Sequence, residues 1–476
     1  MLRRAPLGIA VGVVGVLLAL APRYGWHRDE LYFLQCGKRL AWGYVDQPPF
    51  TPFVARVANE LFGTSLVGLR LFPALAIGAV VLLTAATARE LDGGRTATVV
   101  AAAAAGACPL FLGMSHLLST ATFDLLTWTA ITYLVVRLLH RGEDRLWLAV
   151  GAVAGVGLLN KHTVTFVMFG LVVGLLVTPS GRRHFASPWL WAGGALALLI
   201  WLPNLIWQAQ HDWAVFEMLR SLNEEPAVED VILFLPSQLF ILGGLAFVWI
   251  PGLRWLLRDD RFRVLGAAYV TLLVVFLVGR GKPYYIAGMY PVLLAAGGVW
   301  WGQRDRRRAA LPWIIGLTFV LGLPLAVPII PVDRAKNHPI EDLEIELGAQ
   351  LGWPEMVDEI AAIRRTVDAP VTILTGNYGE AGAVDLYGPS RGLPRAYSGH
   401  NNEWLWGPPR RQTPVTITVG FSAQELGPLF TDCELRGRFH ERHGVANEEE
   451  GAEFQVCRGQ RAPWPELWPQ LKVYSA

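Results

Sequence analysis

The chain has 476 residues, of which 53% are hydrophobic and only 17% charged, and its mean hydropathy is +0.36. A soluble chain carries nearer a quarter charged residues, and here the apolar residues gather in blocks of bilayer length with the charges confined between them. That excludes a soluble globular protein, and a net charge of +2 gives no argument for a nucleic-acid partner.

In chain order the apolar blocks predict eleven spans: 7–22, 66–88, 96–113, 120–138, 146–159, 163–178, 188–207, 229–253, 264–279, 286–302 and 311–330. The first block follows Arg3 and Arg4 as a cleaved signal would. Ala21-Pro22 is a poor small-x-small cleavage site, so it reads as a retained span. Trp189, Trp201, Trp207, Trp249, Trp255, Trp300 and Trp301 fall near the ends of blocks, where an interfacial aromatic belt belongs.

Two connections break the simple alternation. Residues 23–65 open on GWHRDELYF, Gly25 to Phe33, which crowds His27, Arg28, Asp29 and Glu30 at the mouth of the first span. Farther on, Leu31, Leu34 and Leu40, then Phe53, Val54, Val57 and Leu61, recur at helical spacing and predict helices lying in the membrane interface. Residues 208–228, with Trp213, Phe216 and Leu219 among charges, read the same way. Beyond Pro331 the composition changes. An amphipathic helix over 341–366 is followed by strand-like VTILTG, PVTITVG, CELRGRF and EFQVC, alternating with helix-like GEAGAVDLYG and SAQELGPLF. The expected architecture is therefore an α-helical polytopic membrane domain, residues 1–330 with the loop 23–65, and a small external α/β domain, 331–476. The glycine-rich GNYGEAGA matches no phosphate-binding spacing and reads as a turn into a helix. Cys433 and Cys457 fall on two of the strands; a disulfide suits an oxidising compartment, and two cysteines can equally stay reduced.

The loops set the orientation. Arginines fill every second one: Arg3 and Arg4; Arg89 and Arg95; Arg141 and Arg145; Arg182 and Arg183; Arg258, Arg261 and Arg263; Arg304, Arg306, Arg307 and Arg308. The positive-inside rule makes these cytoplasmic, the N-terminus inside and the C-terminal domain outside the plasma membrane.

The remaining ionisable residues then meet at the external face. They are Asp29, Glu30 and Asp46 of the first loop, His116 and Asp124 at the start of the fourth span, Lys161 and His162 in NKHT, and Arg280, Lys282, Tyr284 and Tyr285 in GRGKPYY. Ionisable groups against a bilayer cost free energy, so they pair or serve a site. Asp124 can be satisfied by a loop cation, and Lys161 or Lys282 can snorkel to headgroups. Taken together on one face, Lys, Arg and Tyr hydroxyls suit a phosphate, and a carboxylate in a low-dielectric pocket can take a proton from a hydroxyl. That combination describes transfer of a sugar from a lipid phosphate to an acceptor, with the cations stabilising the leaving phosphate.

These residues resemble the GT-C membrane glycosyltransferases, specifically glycosyltransferase family 39 with its protein O-mannosyltransferases and aminoarabinose transferases. The family's Asp-Glu pair in the first external loop is matched by Asp29–Glu30 in HRDELYF, and the resemblance implies Asp29 as catalytic base. Its later acidic residue is matched by Asp124 in TATFD, its Lys after the fifth span by Lys161 in NKHT, and its late basic and Tyr loop by KPYYIAGMYP, Lys282 to Pro291. The likeness covers roughly residues 7–300. Where aminoarabinose transferases carry an acidic-Lys-Pro-Pro run, this chain has Asp46-Gln47-Pro48-Pro49, which removes one phosphate contact. The resemblance implies a polyprenyl-phosphate sugar donor and a protein, lipid or cell-wall polysaccharide acceptor. A divalent metal at Asp46 is a further expectation. A secondary transporter is the competing reading, since it too places ionisable groups among its spans, and an external scaffold protein is a third.

Overall fold

The computed structural model describes residues 4–223, 228–304, 308–336 and 346–475. Arg3, Arg306, Arg307 and the first residues of the helix expected over 341–366 lie outside them. Each of the eleven apolar blocks holds a helix. In order these are α1 (Arg4–Leu20), α4 (Leu66–Glu90), α5 (Arg95–Gly106) with α6 (Pro109–Ser115), α7 (Thr120–Arg141), α8 (Leu146–Leu158), α9 (Val164–Val177), α10 (Pro188–Gln210), α12 (Val228–Phe240) with α13 (Ala246–Arg258), α14 (Arg263–Val278), α15 (Tyr290–Gly302) and α16 (Leu311–Ala326). The span count is narrower by length and composition. Among the described residues α4, α7 and α10 can each cross a membrane alone, and three bent pairs would bring the total to six. One bend, 55° between α5 and α6, falls at Pro109, whose ring excludes a continuous helix.

Small residues set the helix spacing, as they do where lipid gives no hydrophobic drive to association. A Cβ on Gly151 of α8 would lie 2.0 Å from the Gly193 carbonyl oxygen of α10, so only glycine permits that contact. Of the tryptophans expected at the lipid interface, Trp207 and Trp249 instead pack inside, each 8% exposed.

Between α1 and α4 run α2 (Arg28–Lys38) and α3 (Phe50–Phe62). The interfacial reading fits the exposure of α3 in part, since Phe53, Leu61 and Phe62 are exposed while Val54 is buried. It fails for α2, where Glu30 through Gly37 are all buried. The cover comes from the C-terminal region, which period and composition alone do not reveal. A further helix, α11 (Ala214–Asn223), exposes Phe216 and Leu219 as expected.

The C-terminal region contains α17 (Trp353–Arg365), β1 (Val371–Thr375), α18 (Tyr378–Tyr387), β2 (Ala396–Ser398), β3 (Val415–Val419), β4 (Phe430–Arg438) and β5 (Glu453–Gln460). The sheet order is β2-β1-β3-β5-β4, with β2, β1 and β3 parallel and β3, β5 and β4 antiparallel. Central β1 and β3 are buried along their whole length, which fits strands covered on both faces. Cys433 and Cys457 stand opposite each other on β4 and β5 and form a disulfide.

Candidate active site

The site begins with the cap of α2. The His27 Nδ1 accepts from the Asp29 N–H at 3.2 Å, and the His27 N–H donates to Glu30 Oε2 at 3.0 Å. This cap fixes the direction of two neighbouring carboxylates, and their surroundings differ completely.

Glu30 is fully buried. Arg70 of α4 donates to it twice, Nε to Oε1 at 2.9 Å and Nη2 to Oε2 at 2.7 Å, and the Leu118 N–H donates to Oε1 at 3.0 Å. With the His27 N–H, four donors fill the carboxylate. Burial works to raise the Glu30 carboxyl, but Arg70 and the N–H donors outweigh it and hold the group below its usual range. Arg70 also donates to the carbonyls of Ala21 and Gly25, each at 2.7 Å. Glu30, read from the sequence as the second member of the Asp29–Glu30 pair at the site, is thus committed to anchoring α2 on α4.

Asp29 is open, with its side chain 40% exposed. Its firm partner is the Tyr378 hydroxyl, which donates to Oδ1 at 2.9 Å; Arg28 Nε stands 3.9 Å away. Tyr378 opens α18, capped by Asn377, whose Oδ1 accepts the Glu380 N–H at 2.9 Å. GNYGEAGA is therefore a turn into a helix, and its glycines have a purpose. A Cβ on Gly382 would lie 2.7 Å from the Leu31 Cβ, so α18 rests directly on α2. Tyr378 stacks on Tyr32 at 4.6 Å, and the Tyr32 hydroxyl donates to Asp46 Oδ1 at 2.9 Å. Burial above all pushes the Asp46 carboxyl up to about 7, against the pull of the Tyr32 hydroxyl and with a contribution from the Asp29 charge. Asp46 thus has a tyrosine for a partner. Among the described residues no group of three His, Cys, Asp or Glu side chains forms a metal site, so the donor set expected at Asp46 is not there.

A cavity beside this acidic edge is lined by Met114, Asp124, Lys161, Thr163, Tyr284 and Tyr285, among others. Asn160 holds the turn that carries Lys161: its Oδ1 accepts from the Thr51 hydroxyl at 2.8 Å, and its Nδ2 donates to the Thr120 carbonyl at 2.8 Å. The Lys161 Nζ sits 5.9 Å from the centre of the Tyr285 ring and within electrostatic reach of Asp124 and Lys282. Thr163 and Trp128 flank Asp124, yet no donor reaches its Oδ1 with hydrogen-bond geometry. Tyr284 feels the charges of Asp29 and Glu346, which joins the cavity to the Asp29 edge.

Three expected residues lie outside the cavity's lining. His162 faces α10, with Nε2 3.2 Å from Asn204 Oδ1 and its ring against Trp201. Arg280, at φ 53°, and Lys282 are both exposed, Lys282 within electrostatic reach of Lys161. Four contributors escape the sequence reading: Arg70, Tyr32, Tyr378 and Glu346, the last 3.4 Å from His27 Nε2. Arg70 alone had a signal, a lone arginine within apolar LVGLRLFP.

The fold, an apolar bundle whose loops at one end meet beneath a small C-terminal sheet, is similar to that of solved structures. ArnT from Cupriavidus metallidurans in the apo state superposes with a TM-score of 0.61 at 15% identity, covering 95% of this chain and 97% of that one. The same protein bound to undecaprenyl phosphate gives 0.61 at 16% identity, over 94% and 97%. At such identity the likeness is one of fold. Residues 46–207 match the family described as dolichyl-phosphate-mannose-protein mannosyltransferase. The lipid A galacturonosyltransferase RgtD of Rhizobium johnstonii is 29% identical over 191 residues, which are 39% of this chain and 38% of that relative. The chain is a multi-pass membrane protein whose fold is similar to that of ArnT.

Proposed function

We propose that this protein is a membrane glycosyltransferase that moves a sugar from a polyprenyl-phosphate donor to an extracytoplasmic acceptor. The observation that carries it is the meeting of an open carboxylate, Asp29, with a cavity holding Lys161, Tyr284 and Tyr285 at one end of the bundle. Asp29 takes the proton of an acceptor hydroxyl or amine. The acceptor atom bonds to the anomeric carbon as the bond from that carbon to the phosphate oxygen breaks. The electron pair leaves with the phosphate, whose charge Lys161 and Lys282 offset while the tyrosine hydroxyls donate to its oxygens. Asp124 orients Lys161 by its charge, and Glu30 positions α2 from behind.

The undecaprenyl phosphate bound to ArnT supports the class of donor. The clustering of these groups at one end, away from the middle of the bundle, weighs against a transporter. The reading includes eleven spans, a cytoplasmic N-terminus and division into a membrane domain to residue 330 and an external domain beyond it. The disulfide in that domain supports its placement outside the cytoplasm.

The test uses the purified full chain and its Asp29→Asn variant with a panel of polyprenyl-phosphate sugars. Acceptors should span a Ser/Thr peptide, a glycolipid and wall polysaccharide. Release of free polyprenyl phosphate by the wild type alone, with both proteins binding the lipid, is the expected result. Wild-type turnover by Asp29→Asn removes the base assignment, and failure of the wild type to bind any polyprenyl phosphate removes the reading itself.

A further inference from the structure

A second cavity opens at the other end of α7. Its volume is about 430 Å3, and it is lined by Arg89 and Glu90 of α4 with Tyr133, Arg137, His140 and Arg141 of α7. From Asp124 to Arg137 the helix rises about 20 Å, so this cavity lies toward the opposite membrane face.

Its charges do not cancel. Glu90 is taken by Arg141, which donates from Nε at 3.2 Å and Nη2 at 2.7 Å. Asp92 accepts from Arg261 at 3.0 Å and stands 3.8 Å from His140. Glu143 lies near Arg141. Among the described residues Arg137 reaches only the Tyr133 hydroxyl, at 3.4 Å, while its Nε and the His140 Nδ1 are buried with no hydrogen-bond partner. Arg89 is exposed and makes no side-chain hydrogen bond or ion pair among the described residues. Donors therefore outnumber acceptors around a space large enough for a phosphate group.

The neighbouring surface says what carries that phosphate. Leu75, Leu82 and Arg89 recur every seven residues on α4 and so share one face of the helix, and both leucines are exposed. An apolar track thus leads along the helix to the basic cavity. We propose that the cavity binds the headgroup phosphate of an anionic phospholipid in the leaflet opposite the transfer site. Arg89 and Arg137 hold the phosphate oxygens, and an acyl chain lies along Leu82 and Leu75. Basic pockets between helix ends are suited to such headgroups. This inference does not depend on the transfer reaction.

The experiment measures phospholipid retained by the full chain in detergent, by mass spectrometry of the intact complex. Thermal stability is followed with added phosphatidylglycerol, phosphatidylcholine or inorganic phosphate. The wild type is expected to retain phosphatidylglycerol and gain stability from it alone. Arg89→Gln removes no side-chain hydrogen bond or ion pair among the described residues and so tests binding with little expected folding defect. It should weaken retention about fivefold, and the double variant with Arg137→Gln about thirtyfold. Lys161→Gln, at the other end, should leave retention unchanged. Equal retention by wild type and both arginine variants overturns the proposal and leaves the arginines simply snorkelling. Loss of retention in Lys161→Gln overturns it by putting the lipid in the transfer site. Equal protection by inorganic phosphate overturns the lipid assignment in favour of a free anion.

Discussion

Asp29 and Lys161 stand at the same end of the molecule but are held by different means. Lys161 depends only on the helical bundle: Asn160 ties its turn to the starts of α3 and α7, all within the first half of the chain. Asp29 depends on both parts of the protein. Glu30 and Arg70 fasten its helix to the bundle from behind, while Tyr378 of α18 holds the carboxylate from the front. The difference teaches that the cationic half of the proposed centre belongs to the membrane part, and the acidic half exists only where the C-terminal region docks.

The largest effect expected is the loss of about 10² to 10⁴ in turnover on Asp29→Asn, with donor binding intact, measured as release of polyprenyl phosphate. Lys161→Gln should cost about 10² in turnover and weaken donor binding as well. If both variants bind donor equally well, the two halves do not have separate tasks. Arg70→Ala strips the buried Glu30 of its partner and should destabilise the protein by about 3–5 kcal/mol, read by denaturant unfolding in micelles. A loss under 1 kcal/mol would contradict the anchoring role.

Gly382→Val tests the docking directly. Its side chain meets Leu31, so α18 must lift from α2 at a cost of about 1–3 kcal/mol. Turnover should fall while donor binding at Lys161 persists; parallel loss of both would show that the halves are not separable. The smallest effect concerns pH. Asp46 is raised to about 7 in the folded protein, so its stabilising contribution is complete in acid and is lost as pH climbs through about 7. Glu403, lifted to about 7 by burial in spite of Arg39 and Arg395, adds a slope of the same sign. Asp46→Asn should therefore flatten in part the fall in Tm between about pH 4 and 7, with Glu403 and the raised Glu380 and Glu449 carboxyls contributing to what remains.

The bundle is legible in the sequence because bilayer-length apolar runs have few alternatives. The candidate residues are legible for a related reason: spans alternate in direction, so every second loop falls at the same end. Individual side chains are less legible. His162 follows Lys161 in sequence, yet neighbouring residues of a turn point apart, and His162 faces Asn204 instead. Asp29 and Glu30 read alike as carboxylates, and only the Arg70 pair separates the open one from the buried one. Tyr378 is beyond reach from spacing, since nothing in GNYGEAGA says which surface its helix will cover. The burial of α2 is hidden for the same reason.

The Asp29–Tyr378 hydrogen bond joins residues 349 positions apart. A chain made from its N-terminus folds in that order, so the Lys161 turn can be finished while the ribosome is still extending the protein. The Asp29 carboxylate must wait for α18 to be synthesised and to reach the same side of the membrane. In the proposed reaction a half-made chain can therefore hold a donor lipid before it can transfer the sugar, and the last stretch to emerge acts as the safety catch on that chemistry.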